Sequence, residues 1–133
     1  MAEFPLEIVT PDGSMYCGNA ESLLVRTEDG DVEILRGHTD FFSAVGTGRV
    51  RLIAEGKTRF ASASGGLLSV DGGKVKLVCV TFEFAENIDE ARAQAAKEKA
   101  EAALASAKDD KAIAIAKAKL ARAVSRINVA NMK

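Results

Sequence analysis

The chain has 133 residues, of which 47% are hydrophobic and 28% charged, and its formal net charge is -1. This length suits one compact domain, or one domain with an appendage, and allows roughly two-thirds of the unfolded surface to be buried. A charge balance this close to zero argues against a general nucleic-acid binder. No apolar run approaches the roughly 18 residues that span a bilayer, and no signal peptide is recognisable, so we expect no direct membrane insertion.

The charge and the composition both change near residue 87. Residues 1–86 carry 13 acidic and 8 basic side chains, a net charge of -5, and hold every glycine and proline. Residues 87–133 carry 6 acidic and 10 basic side chains, a net charge of +4, and 16 of these 47 residues are alanine. Since alanine is the best helix former, we predict two domains, a β domain at 1–86 and a helical domain at 87–133.

The first domain alternates short apolar runs with turn residues, which is typical of antiparallel sheets. Interruptions at 46–48 and 65–66 place glycines where we expect turns, and no helical crossover separates the strands. The pattern predicts a β-sandwich or flattened barrel of about nine or ten short strands. The predicted strands are 4–9, 15–17, 22–27, 32–35, 41–45, 49–54, 58–64, 67–70 and 74–84.

The second domain reads as two helices joined at 106–110. We expect Asn87 to cap the first helix with Glu90 completing a capping box, and an aspartate in the bend to cap the second. The fold class is therefore α+β, a sandwich followed by an antiparallel helical hairpin. Because the facing sides of the helices are mostly alanine, we expect the two helices to pack only weakly on each other. One side of the first helix carries Asp89, Ala93, Ala96, Ala100, Ala103, Leu104 and Ala107, and the seam of the second carries Ile113, Ala116, Leu120, Ala123 and Ile127.

A row of basic residues lies outside that seam on the second helix. It consists of Lys111, Lys119, Arg122 and Arg126. Such a row is either a solvated face or a surface for an acidic partner or a phosphate, and the sequence leaves both open.

Few residues suggest catalysis or metal binding. Cys17 and Cys79 read as small buried hydrophobes in a reducing environment, although a disulfide between them stays possible, and two thiols with one histidine do not make a zinc site. An enzyme would have to enlist His38, Asp40, Ser43 and Ser64, which nothing in the sequence places together. We therefore predict a non-catalytic protein with neither catalytic nor metal-binding residues.

The order of parts resembles the epsilon subunit of the bacterial F-type ATP synthase over essentially the whole chain. The resemblance lies in Ile-Asp-Glu-Ala-Arg-Ala at residues 88–93, in the Gly-Gly connection of Ser-Gly-Gly-Leu-Leu-Ser-Val at 64–70, and in the alanine-rich hairpin. Gly37-His38 also looks like the family's Pro-Gly-His-Ala-Pro turn, but Arg36 and Thr39-Asp40 replace the flanking residues.

The resemblance implies a non-catalytic central-stalk subunit at the cytoplasmic face of the bacterial membrane. Its sandwich would bind the gamma subunit and the c-ring, coupling the catalytic head to the ion-translocating rotor. Its hairpin would be mobile, and when extended it would face acidic surfaces of the alpha and beta subunits and inhibit ATP hydrolysis. A free-standing nucleotide sensor without a rotary partner is the alternative function.

The resemblance also implies ATP as a regulatory ligand of the folded-down hairpin, with no cofactor otherwise required. Lys99 stands where the family's best-studied binders have arginine, so the charge is kept but the two-pronged geometry is lost. Four cations would converge there and repel one another until a triphosphate binds. The implied ATP contacts are Glu83, Ile88, Asp89, Arg92, Ala93, Lys99, Arg122 and Arg126.

Overall fold

A computed structural model describes residues 2–132 of the chain. Seven strands come first, followed by one 3₁₀ turn at Ala85–Asn87 and two α-helices. The elements are β1 (Phe4–Thr10), β2 (Gly13–Ala20), β3 (Ser22–Thr27), β4 (Gly30–Ile34), β5 (Phe41–Ala54), β6 (Lys57–Asp71), β7 (Lys74–Phe84), α1 (Glu90–Ser106) and α2 (Asp110–Ala130).

The strands form one sheet in the order β2-β1-β7-β6-β5-β3-β4. The sheet folds over on itself, since β2, which lies at one edge, contacts β5 near the other edge. The enclosed core takes side chains from all seven strands, and Ile8, Leu23, Leu52 and Leu77 are among its fully buried members. The predicted sandwich followed by two helices is therefore confirmed.

Strands β5 and β6 are longer than the sequence predicts, because the glycine interruptions lie within them. Gly46 and Gly48 lie inside β5, and Gly65 and Gly66 lie inside β6. The inward-facing residues of β6 change there from Ala61 and Ala63 to Leu68 and Val70, so the strand bends and exchanges its two faces. The expectation of nine or ten short strands is thus wrong, because these glycines bend strands instead of ending them.

Two further sequence expectations need correction. The pairing of β1 with β7 is parallel, whereas every other strand pair is antiparallel, so the sheet is mixed. Both cysteines are free thiols, and Cys17 is exposed, so only Cys79 is the buried hydrophobe that we expected. Burial raises the pKa of the Cys79 thiol to about 12.

An aspartate caps the N-terminus of each helix. The side chain of Asp89 accepts the backbone N–H of Arg92, and that of Asp109 accepts the backbone N–H of Ala112. The prediction of an aspartate cap for α2 is confirmed. The prediction that Asn87 caps α1 is wrong, because Asn87 belongs to the 3₁₀ turn and Asp89 is the residue in extended conformation before the helix.

The two helices pack against each other through small side chains. Ala93 and Ala100 of α1 are buried, as are Ala116 and Ala123 of α2. The larger members of the predicted α2 seam, Ile113, Leu120 and Ile127, are half-buried. Alanine brings the helix backbones close but contributes little apolar area, so the hairpin has a thin interface. Within residues 2–132, no helix is long and apolar enough to cross a membrane.

We predict that Gly66→Ala severely destabilises the sandwich. Gly66 has φ of +118°, and a Cβ there would lie 1.7 Å from the carbonyl oxygen of Val78. The neighbouring strand would have to move, so we expect the free energy of unfolding in urea to fall by at least about 3 kcal/mol.

Gly72→Ala is the matched control, since Gly72 also has positive φ but nothing lies within 4 Å of the added Cβ. Backbone strain alone should cost about 1 kcal/mol there. Equal losses in the two variants would contradict the role of close strand approach at Gly66.

Candidate site between the sandwich and the helical hairpin

The C-terminal turns of α2 contact the sandwich through a small apolar cluster. Ala85, Ile88, Val129 and Ala130 are buried together, and Phe60 and Met132 pack against them. Ile88 and Ala85 come from the junction between β7 and α1, so this docking cluster ties the end of the chain to the point where the helices begin. These few side chains are separate from the main core of the sandwich.

Two polar contacts lie beside the docking cluster. The hydroxyls of Ser62 on β6 and Ser125 on α2 share a buried hydrogen bond of 2.7 Å. Next to it, Nε of Arg126 lies 3.6 Å from Oε1 of Glu83 on β7. Both side chains of this ion pair remain partly exposed, so the pair is screened by water and contributes at most about 1 kcal/mol.

A cleft of about 420 Å³ opens between β7, the start of α1 and the end of α2. This hairpin cleft exists only because the hairpin is folded down on the sandwich. Its volume lies within the range of about 300–1,000 Å³ that is typical of small-molecule sites. It is lined by Thr10, Asp12, Ser62, Val80, Thr81, Phe82, Glu83, Asn87, Asp89, Arg92, Ala93, Ala96 and Arg126.

The charges of the hairpin cleft suit an anion that also carries hydrogen-bond donors. Among the described residues, the guanidinium of Arg92 has no hydrogen bond or ion pair, so its donors are available. The N-terminus of α1 lies at the same place and favours negative charge. Glu83 and Asp12 supply carboxylate acceptors in the same cleft. The site can therefore hold a molecule with a phosphate end and a donor-bearing end.

The structure brings together five of the eight residues implied by the resemblance. Glu83, Asp89, Arg92, Ala93 and Arg126 all line the hairpin cleft.

The other three lie elsewhere. Ile88 is buried in the docking cluster beneath the cleft. Lys99 is exposed and Arg122 is half-buried, and neither lines the cleft. They stand two turns beyond Arg92 and one turn before Arg126 on the same helix faces, so they extend the basic surface outward. The expected convergence of four cations is thus seen for two of them.

Sequence reasoning missed the part of the cleft that the sandwich contributes. Thr10 and Asp12 come from the β1–β2 turn, and Ser62 and Thr81 come from β6 and β7. Nothing local in the sequence marks these residues, because only the docking of α2 on the sheet places them beside the arginines. The Thr10 hydroxyl accepts the backbone N–H of Asp12, which is the usual reason for such residues in a turn.

The residues that an enzyme would need are engaged elsewhere. Asp40 accepts the backbone N–H of Gly72, and the Ser64 hydroxyl accepts a hydrogen bond from Thr47. Nδ1 of His38 lies 2.7 Å from the carbonyl oxygen of Thr39, and Ser43 donates to the carbonyl of Ala44. Across residues 2–132, no hydrogen bond joins any two of these four side chains.

An exposed apolar row crosses the outer face of the sandwich, beyond the bend in β6. Val9, Val78, Leu67 and Ala44 lie side by side in register on four neighbouring strands. Leu67 is 42% exposed, and beside the row Phe42 is 69% and Val80 64% exposed. Contiguous exposed apolar residues of this kind mark an interaction surface.

The fold and the site define a two-part protein, a sandwich that carries a helical hairpin over a ligand-sized cleft. Residues 3–85 match the family model described as the beta-sandwich domain of the ATP synthase Delta/Epsilon chain, and residues 86–131 match its long alpha-helix domain. The chain therefore belongs to the ATP synthase Delta/Epsilon chain family.

Individual relatives agree with this placement. The chain is 42% identical over 130 residues to the ATP synthase epsilon chain of Bacillus velezensis, covering 98% of each. It is 43% identical over 133 residues to the epsilon chain of Bacillus cereus strain G9842, covering all of both. The family resemblance read from residues 64–70 and 88–93 is thus confirmed.

Two solved structures share the fold. A chain of the Euglena gracilis mitochondrial ATP synthase, in an OSCP/F1/c-ring assembly, superposes with a TM-score of 0.83 at 22% identity, covering 100% of this chain and 83% of that one. A chain of the central stalk/c-ring of the Tetrahymena thermophila enzyme gives 0.64 at 11% identity, covering 96% and 93%.

We predict that Val129→Ala loosens the hairpin while leaving the sandwich intact. Val129 is fully buried in the docking cluster. Removing its two methyl groups should cost about 2 kcal/mol of docking free energy, which corresponds to about 30-fold faster amide hydrogen exchange in the helices.

Val124→Ala is the control, because Val124 lies on the same helix but is exposed. It should leave helix exchange nearly unchanged, and neither variant should alter exchange in β6 or β7. Faster exchange in the sandwich of the Val129 variant would show that the docking cluster is part of the main core.

Proposed function

We propose that this chain is a non-catalytic central-stalk subunit of an F-type ATP synthase, peripheral at the cytoplasmic face of the bacterial membrane. It couples the catalytic head to the ion-translocating rotor, and its hairpin controls ATP hydrolysis. The observation that carries the proposal is the hairpin cleft, which forms between two domains that touch through a small interface. A cleft of this kind links the occupancy of a ligand to the position of the helices.

The exposed apolar row supports a permanent partner for the sandwich. Phe42, Leu67 and Val80 would be costly to leave in water on a free-standing protein. We assign this face to the gamma subunit, with the c-ring below it. The same row argues against the alternative of a free-standing nucleotide sensor.

The charge of the hairpin supports a second position for the helices. Lys111 and Lys119 are exposed on α2 and no hydrogen bond or ion pair engages them in the described part of the chain. Extended into the catalytic head, α2 would bring this basic side to acidic surfaces of the alpha and beta subunits and obstruct rotation in the direction of hydrolysis. Leaving the sandwich exposes the small docking cluster and breaks the Ser62–Ser125 hydrogen bond, which together cost a few kcal/mol, about the range of a ligand-controlled switch.

ATP is the ligand that we assign to the hairpin cleft. Its phosphates would bind Arg92 and Arg126, with Lys99 and Arg122 further along the same faces. Its adenine amino group and ribose hydroxyls would donate to Glu83 and Asp89. Because ATP would bind only where both helices meet the sandwich, it would stabilise the folded-down hairpin and relieve inhibition.

We predict that a chain ending at residue 87 raises ATP hydrolysis by the assembled complex and leaves assembly and ATP synthesis largely intact. The main core of the sandwich contains no residue of the helices, so the shortened chain should fold and assemble. The measurement compares hydrolysis and synthesis in membrane vesicles that contain the full-length or the shortened chain. Unchanged hydrolysis would remove the inhibitory role and leave the stalk assignment in place.

We also predict that Arg92→Ala and Arg126→Ala each weaken ATP binding to the isolated chain. Losing one charge-assisted contact should lower the affinity about 10-fold to 100-fold by calorimetry. Arg36→Ala is the control, because Arg36 is exposed and does not line the cleft. Absence of ATP binding by the unmutated chain at millimolar concentration would refute the regulatory ligand without touching the stalk assignment.

A further inference from the structure

Three residues on neighbouring strands form a rung beneath α2. Ser62 of β6 lies directly opposite Arg49 of β5 on one side and Glu83 of β7 on the other. Residues that face each other in adjacent strands project from the same face of a sheet. The rung therefore presents a cation, a hydroxyl and a carboxylate, in that order, to the helix that covers it.

Two consecutive residues of α2 contact two neighbouring residues of this rung. The Ser125 hydroxyl is hydrogen-bonded to that of Ser62 at 2.7 Å, and Nε of Arg126 lies 3.6 Å from Oε1 of Glu83. Ser62 is 6% and Ser125 9% exposed, so the hydroxyl pair is the buried one of these two contacts. A buried hydrogen bond is directional, and leaving it unmade costs free energy because its polar groups have no water to bind. The half-exposed ion pair is less demanding, because water can solvate both of its charges.

We propose that Ser62 and Ser125 are positioning residues that fix the register of α2 on the sheet and thereby place Arg126 in the hairpin cleft. The proposal rests on the ATP site described under the proposed function. It adds the contact that positions Arg126, one of the two arginines assigned to the phosphates.

The other contacts of α2 do not specify its register. The docking cluster and the alanine faces are apolar and small, so a helix can shift or rotate on them at little cost. A rotation toward β5 would carry Arg126 from Glu83 toward Arg49, where like charges repel. The serine pair is the directional contact that holds α2 with Arg126 on the acidic side of the rung.

The surroundings of the pair allow a stringent test. Ser125 also lines a second groove of about 590 Å³ on the other side of α2. Ser125→Thr keeps the hydroxyl and adds one methyl group, whereas Ser125→Ala removes the hydroxyl. Ser64→Ala is the matched control, because Ser64 is a buried serine on the same face of β6 whose hydroxyl bonds to Thr47 and not to α2.

The first measurement is calorimetric titration of the isolated full-length chain with ATP. We expect Ser62→Ala and Ser125→Ala each to weaken binding about fivefold to tenfold, the loss of one buried hydrogen bond. Ser125→Thr and Ser64→Ala should bind like the unmutated chain. Unaltered affinity in the two alanine variants would overturn the proposal.

The second measurement needs no nucleotide. In a Cys17→Ser background, Glu83→Cys and Arg126→Cys are combined, and the rate of cross-linking by a short bis-maleimide reports how often positions 83 and 126 come within the span of the reagent. Adding Ser125→Ala should slow this rate about fivefold, whereas Ser125→Thr or Ser64→Ala should not. An unchanged rate would overturn the proposal even if ATP affinity fell.

The two measurements also separate this inference from the proposed function. If the unmutated chain binds no ATP but the cross-linking rate falls with Ser125→Ala and not with Ser125→Thr or Ser64→Ala, the regulatory ligand is refuted and the positioning role stands.

Discussion

The contact between the last turns of α2 and the sandwich is the constraint on which the rest of this structure depends. It consists of the docking cluster around Val129 and Ile88, one buried hydroxyl pair and one partly exposed ion pair. The position of the whole hairpin depends on it, because α1 and α2 pack on each other through buried alanines and a few half-buried larger side chains, which form only a thin interface. The hairpin cleft exists while this contact is made and is lost when it breaks.

The negative charge of the sandwich and the positive charge of the helices meet in the hairpin cleft. The acidic sandwich contributes Asp12 and Glu83 to the cleft, and the basic helices contribute Arg92 and Arg126. The attraction between domains of opposite net charge is weak and screened in water. This attraction is too weak to hold the helices on the sandwich. The division of charge nevertheless places carboxylate acceptors and arginine cations in one cleft, where a single ligand can bind to both kinds of group.

Helices and strands could be predicted well from the sequence wherever local composition determines structure. Alanine content and the aspartate before α2 locate the helices, and alternation locates most strands. The failures have particular causes. The glycines at 46–48 and 65–66 look like turns, and only the long-range pairing of β5, β6 and β7 shows that the strands continue through them. Before α1, the spacing from Asn87 to Glu90 favoured Asn87 as the cap, and nothing in the local pattern showed that Asp89 takes that place.

The cleft could be predicted only in part, for a related reason. Residues near the junction and on α2 came from a family resemblance, whereas Thr10, Asp12 and Ser62 come from strands and a turn that carry no motif. Their place in the site is a product of tertiary packing. Lys99 and Arg122 show the converse, since the family resemblance put them among the implied contacts but neither lines the cleft in the folded structure.

The bend at Gly65 and Gly66 connects these observations. By exchanging the faces of β6, it divides the outer surface of the sheet into two regions. Before the bend, Phe60 and Ser62 face outward and are covered by α2. Beyond it, Leu67 faces outward in the exposed apolar row. The hairpin and a partner bound at the row therefore contact neighbouring parts of the same strands, with Val80 at the border between them. Under the proposed function, the helices would leave the sandwich without disturbing that partner, as a subunit would have to do if it stays attached to a rotor while its regulatory element moves.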